Sequence, residues 1–227
     1  MLDKSKFLYI SLTALIASLL LSFIDGYFSP DYIYKSIIKV IFFITIILIY
    51  LSIFKDERNH FKAFYKLEPK NLKISLILGL IVFAIIIIAY LLARNFIDLN
   101  QIQAALSDNI NVNKSNFIYV ALYISLINSF LEETFFRIYA FNCLNNKLSR
   151  NFAYIFSSTI FAFYHLGMTD GWFNPIILAL SFIGLFIAGS IFNFLSEKTN
   201  SIYPSWIVHM FANFAINSIG LSLFGII

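Results

Sequence analysis

Apolar stretches separated by short polar ones run along nearly the whole chain, and most approach the length of about 20 residues that crosses a bilayer as a helix. They cover Phe7–Ile24, Ile33–Phe54, Ile74–Ala93, Phe117–Cys143, Phe152–Gly167, Pro175–Leu195 and Pro204–Ile227. The pattern predicts an all-α, polytopic transmembrane helical bundle of about seven spans, with six to eight compatible with the uncertain ends. The ten-residue alternating segments of a membrane barrel are not visible, nor is an internal repeat. The expected organisation is one integral membrane domain over residues 1–227.

Composition closes off the alternatives. The chain is 60% hydrophobic and 12% charged, about half the charge of a soluble domain. A soluble enzyme and a disordered chain are both excluded. The net charge of +4 fits basic loops against anionic lipid, not nucleic acid. Placing the N-terminus inside puts Lys4, Lys6, Lys55, Arg58, Lys62, Lys66, Lys70, Lys73, Lys147, Arg150 and Lys198 on the cytoplasmic side. Lys35, Lys39, Arg94 and Lys114 then fall outside or at the outer boundary. The first span is expected to be an uncleaved anchor, because no small-residue cleavage site precedes Asp25-Gly26. The usage, rich in Ile, Asn, Lys and Phe, looks bacterial, which places the protein in a bacterial cytoplasmic membrane. Cys143, the one cysteine, cannot form an internal disulfide. The basic loop Lys55–Lys73, with Phe61, Phe64 and Tyr65, is either an interfacial segment or a solvated connector. Trp172, Tyr203 and Trp206 read as interface anchors. Gly184, Ala188 and Gly189, with Ser181, are expected to permit close helix approach.

Three charges contradict the apolar pattern. Glu132, Glu133 and Arg137 lie inside the fourth expected span, where each ionised group costs about 2.5–3.5 kcal/mol on insertion scales. Glu133 and Arg137 are four apart and share a helix face, so they form an internal pair. Glu132 points about 100° away and is left to face a polar cavity, with Asn128 one turn earlier placed to orient it. His165 and His209 also lie in spans, and Asn213 follows His209 by one turn. A hairpin turning in the loop Asn145–Asn151 brings Glu132 and His165 to one depth, about 22–25 Å from the turn. His209, five residues past Pro204, is expected to lie shallower unless the chain before it dips into the bundle. Asn217 either extends this polar face or makes a core hydrogen bond.

A carboxylate, two imidazoles and an amide in an apolar medium favour hydrolysis. Glu can act as base to a water, and His can orient that water or bind a metal; His and Asn can donate to a developing oxyanion. A Zn²⁺ site of Glu132, His165 and His209 is also open, since three protein ligands plus water is a common catalytic set. There is no HExxH, no GxSxG elbow and no GxGD aspartate pair. Two other classes compete: a non-catalytic membrane regulator or bacteriocin self-immunity factor that keeps the fold, and a small transporter or proton relay.

Glu132-Glu133-Thr134-Phe135-Phe136-Arg137 matches EExxxR, Phe161 to His165 matches FxxxH, and His209 to Asn213 matches HxxxN. In that order the three resemble the CAAX prenyl-endopeptidase and bacteriocin-processing family, also called CPBP or Abi. The resemblance covers about residues 117–216, a motif-bearing catalytic core, while 1–116 supplies N-terminal spans without a motif. It implies a glutamate-dependent intramembrane endopeptidase in which Glu132 activates water with His165. His209 and Asn213 would form the oxyanion site, and Glu133 with Arg137 would hold the geometry. The family is commonly labelled as metalloproteases, which implies a divalent metal such as Zn²⁺. The implied partners are the lipid bilayer and a hydrophobic or membrane-associated peptide or membrane-protein substrate, with no nucleic acid.

Overall fold

The computed structural model describes residues 2–28, 30–145, 149–167 and 175–227. The architecture is all-α. Helix α1 (Leu2–Phe23) continues into a π-helical turn at Ile24–Phe28. It is followed by α2 (Tyr32–Ile53), the short α3 (Glu57–Ala63), α4 (Pro69–Ala93) and α5 (Leu99–Ala104). The helix α6 runs through residues 117–145. The last three are α7 (Arg150–Gly167), α8 (Pro175–Thr199) and α9 (Tyr203–Leu223). Pro69 and Pro204 sit in the first turn of their helices, and Pro175 opens α8. There the missing N–H costs nothing, because that turn has no carbonyl to bond. Asn200 closes α8 in the left-handed region, at φ 48°.

Among the described residues, five helices are long and apolar enough to cross a membrane: Lys4–Phe28, Tyr32–Ile53, Pro69–Phe96, Pro175–Thr199 and Tyr203–Leu223. Their outward faces carry Leu, Ile and Phe side chains, as lipid contact requires. Helices also occupy the fourth and fifth expected spans, but they are more polar. Lys147 and Trp172 lie outside the described residues.

Helix α6 is the axis. Every residue from Glu132 to Leu144 is buried, with α1, α2, α7 and α8 packed around that stretch. Phe135 stacks on Phe43 of α2 with ring centroids 3.9 Å apart, and Tyr139 meets Tyr50. Lipid is as apolar as these side chains, so close packing and internal hydrogen bonds decide how the helices associate. Gly189 is where α8 approaches α7. A Cβ there would lie 3.2 Å from the Ser158 Cα. By contrast, a Cβ on Gly184 would meet nothing within 4 Å, so that glycine does not serve close approach. Gly189→Val is therefore expected to destabilise the bundle by about 1–3 kcal/mol, and Gly184→Val to leave the melting temperature unchanged. Thermal unfolding in detergent checks the contrast.

The two ends of the bundle differ. At one end Lys6 bonds Asp56 and Glu57, the Ile202 amide donates to the Phe64 carbonyl at 3.0 Å, and Arg150 pairs with Glu197 at 2.8 Å. At the other end Lys114 donates to the Gly225 carbonyl. In the basic loop, Phe61 and Phe64 are buried in the protein core while Lys55, Lys62 and Lys66 remain exposed. Its aromatic residues thus clamp the bundle and are turned away from lipid. Trp206 and Tyr203 are likewise engaged in the protein: the Trp206 indole donates to the Ser129 hydroxyl at 3.1 Å, and both rings pack on Phe130.

Candidate active site

Helix α6 delivers the carboxylates through an unusual local geometry. The α-helical segment Ser129–Glu133 is flanked by π-helical segments at Tyr123–Asn128 and Thr134–Asn142. Such insertions change the direction of successive side chains and recur at functional sites. Glu132 and Glu133 leave this segment in different directions, and both are fully buried.

Glu133 and Arg137 form the expected pair, with Nε 3.2 Å from Oε2. Arg137 is wholly enclosed, and its Nη1 donates to Asn193 Oδ1 at 2.9 Å, with longer bonds to the Ser157 hydroxyl and the Gly189 carbonyl. Its guanidinium lies 4.5 Å from the Phe161 ring centroid and 5.4 Å from that of Phe192. Glu133 also accepts from His209 Nδ1 at 3.1 Å. The pair therefore joins α6 to α7, α8 and α9 at once.

Glu132 divides its two oxygens. Oε1 accepts from Asn128 Nδ2 at 2.8 Å, Tyr164 OH at 3.2 Å and Lys39 Nζ at 3.2 Å. Oε2 faces His165 Nε2 at 3.5 Å and His209 Nε2 at 3.7 Å. The tautomers follow from the partners. His165 Nδ1 lies 2.8 Å from the Phe161 carbonyl, which can only accept, so Nδ1 carries the proton. His209 Nδ1 donates to a carboxylate by the same logic. In the neutral rings both Nε2 lone pairs then point at the Glu132 oxygen. Three acceptor atoms converging on one spot require a proton, the two hydrogens of a water, or a cation between them.

The sequence patterns acquire physical content here. Phe161 of FxxxH supplies the carbonyl that fixes the His165 tautomer, and its ring packs against both His165 (4.2 Å between centroids) and Arg137. Phe192 stacks on His209 at 5.1 Å. Of the three converging side chains only His165 keeps appreciable exposure, 18% against 1% for Glu132 and 5% for His209.

His209 is not shallow. Ser201, Ile202, Pro204 and Ser205 are all buried. The Ser201 hydroxyl donates to the Lys66 carbonyl, so α9 starts inside the protein beneath the 61–66 segment and its second turn reaches Glu132. Asn213 Nδ2 donates to the Ile124 carbonyl at 3.3 Å, and Asn217 Nδ2 donates to the Ser125 hydroxyl at 3.1 Å. Both amides tie α9 to the first π-helical segment of α6. Asn128 orients Glu132 directly.

Three contributors were not singled out from the sequence. Tyr164 and Asn193 touch the two ends of the charge network. Lys39, expected at the outer boundary, is buried against Glu132, and Lys35 is buried against Asp25 at 3.1 Å. The available signal was two lysines four residues apart within an apolar run, which places both on one helix face.

The donor set fits a divalent cation. One ligand atom each from Glu132, His165 and His209 lies within 4.8 Å of the others. Each imidazole donates its Nδ1–H to a carbonyl or carboxylate, the usual support of metal-bound histidine.

Residues 114–215 match the family model described as Rce1-like, the Type II CAAX prenyl endopeptidase Rce1-like family. No curated protein and no solved structure matches the chain. The matched stretch holds all seven motif residues. With the buried Glu/His/His cluster it marks a CAAX-protease-like hydrolase, a multi-pass membrane protein with an intramembrane endopeptidase site.

Proposed function

We propose that the chain hydrolyses a peptide bond in a hydrophobic or membrane-associated peptide or protein. The carrying observation is the convergence of Glu132 Oε2 with Nε2 of His165 and Nε2 of His209. Glu132 takes a proton from water at Oε2 while His165 Nε2 orients that water. The water oxygen adds to the peptide carbonyl, and the proton on Glu132 passes to the leaving amine as the C–N bond breaks. His209 Nε2 and Asn213 stabilise the oxyanion. To donate from Nε2, His209 must be protonated on both nitrogens, and the Glu133 carboxylate at Nδ1 compensates that charge. Glu133 and Arg137 hold the helices in register. If a divalent cation such as Zn²⁺ is bound, Glu132, His165 and His209 hold it, and it supplies further stabilisation of oxyanion charge.

The bundle is read as a single membrane domain in which α1, α2, α4, α6, α7, α8 and α9 make about seven crossings. Lys6 at one end and Gly225 at the other support an odd number. The basic end lies on the cytoplasmic side, in a bacterial membrane.

Peptide release by wild type and His165→Ala, each with and without a chelator, tests this function. His165→Ala is expected to lower turnover by roughly 10²–10⁴-fold, the usual size of an acid–base contribution. Chelator-resistant wild-type activity would assign the chemistry to the side chains alone. Full turnover by His165→Ala would exclude the site.

A further inference from the structure

Resting on that function, we propose that Lys39 is the positioning residue of the site. With Asn128 and Tyr164 it anchors Oε1 of Glu132, so that Oε2 alone is presented to the two histidines.

A carboxylate on a flexible side chain can rotate and exchange its oxygens. Here that exchange is opposed on one side by three donors, Lys39, Asn128 and Tyr164. On the other side stand two imidazole nitrogens, neither nearer to Oε2 than 3.5 Å, and the neutral His165 ring is an acceptor there. Lys39 contributes the one charged donor of the three, and bonds with an ionised donor and acceptor are the stronger kind. Lys39 is itself fixed, with Nζ 2.8 Å from Asn128 Oδ1 and 5.2 Å from the Tyr164 ring centroid. Asn128 therefore clamps both members of the pair, accepting from Lys39 and donating to Glu132.

The second lysine explains why Lys39 can be committed in this way. Lys35, one turn earlier on α2, is held by Asp25 at the end of α1. Asp25, Glu132 and Glu133 balance Lys35, Lys39 and Arg137 among these six buried groups. In an apolar medium, an uncompensated charge at any of these positions would favour rearrangement. With Lys35 engaged elsewhere, Lys39 is directed to the carboxylate that faces the histidines.

The test uses the full-length protein in liposomes, with peptide release measured per folded molecule across substrate concentration. Lys39→Met is expected to lower kcat by roughly 100-fold, the scale of loss from a misplaced reacting group. KM stays unchanged, because Lys39 does not touch substrate. Lys39→Arg, which keeps charge and donors, recovers part of kcat. A loss confined to melting temperature and yield, with kcat per folded molecule intact, would show a merely structural lysine and overturn the proposal. Wild-type kcat in Lys39→Met beside an inactive Glu132→Gln overturns the positioning role and leaves the protease function standing. Wild-type turnover in Glu132→Gln overturns both. If Lys39→Met does not fold, Lys39→Gln, which keeps a donor and drops the charge, carries the same comparison.

Discussion

Peptide release is expected to fall to background when Glu132 becomes Gln, while the protein is still recovered as folded, monodisperse material. Glutamine keeps the shape of the side chain and can accept at its carbonyl from Asn128, Tyr164 and Lys39. It cannot take a proton from water, and its amide NH₂ meets the histidine nitrogens as a donor where a carboxylate oxygen stood. Loss of a positioned base alone accounts for roughly 10²–10⁴-fold. The altered contact with both imidazoles adds to that. A non-catalytic regulator or self-immunity factor with the same polar core would behave differently, because its cellular phenotype would survive the substitution. Cleavage of a membrane-associated peptide and the cellular phenotype, measured in the same strain, separate the two. Turnover that persists in Glu132→Gln removes this carboxylate from the chemistry.

The largest stability effect is expected at Arg137. Its guanidinium is wholly buried, paired with Glu133, bonded to Asn193 and packed between Phe161 and Phe192. Arg137→Met removes one partner of a buried pair and strands the other, which costs about 3–5 kcal/mol. The protein should then melt at much lower temperature or fail to accumulate. Combining Arg137→Met with Glu133→Gln removes the stranded charge, and melting temperature should recover toward wild type. Activity should not recover, because His209 has lost the negative charge beside its Nδ1. Thermal unfolding of both variants beside peptide release makes the separation. An Arg137→Met protein that melts like wild type would mean that the pair does not hold these helices together.

The parts of the site legible in the sequence are those encoded by local spacing. Glu133 and Arg137 are four apart on one helix, and His165 follows Glu132 across a single turn of chain, so depth could be counted in residues. His209 could not be placed by counting, because its depth depends on the burial of 201–205 beneath the 61–66 segment, a contact between distant parts of the chain. Lys39 was misplaced for a related reason. A lysine near the end of an apolar span can reach water by extending its chain, and only the facing carboxylate on α6 decides that it turns inward. The π-helical segments of α6 left no mark in the residue pattern. The bundle class was clear from the length of the apolar runs. Among the described residues, five runs form helices long and apolar enough to cross a membrane, whereas the stretch around Glu132 gains its place from what surrounds it.

The pairing of charges across helices also constrains how the bundle can be assembled. Of the six groups, α2 carries two positive charges, the end of α1 one negative, and α6 a net single negative, since Arg137 offsets only one of its two glutamates. None of these three segments enters the bilayer neutral, and each isolated charge at depth resists insertion by about 2.5–3.5 kcal/mol. Lys35 meets Asp25 from the neighbouring helix in sequence, but Lys39 must wait for Glu132, synthesised 93 residues later. Lys39 therefore turns from the end of its span into the protein only where α6 packs against α2. The contact that orients the site carboxylate is also the one that pairs this lysine across two helices.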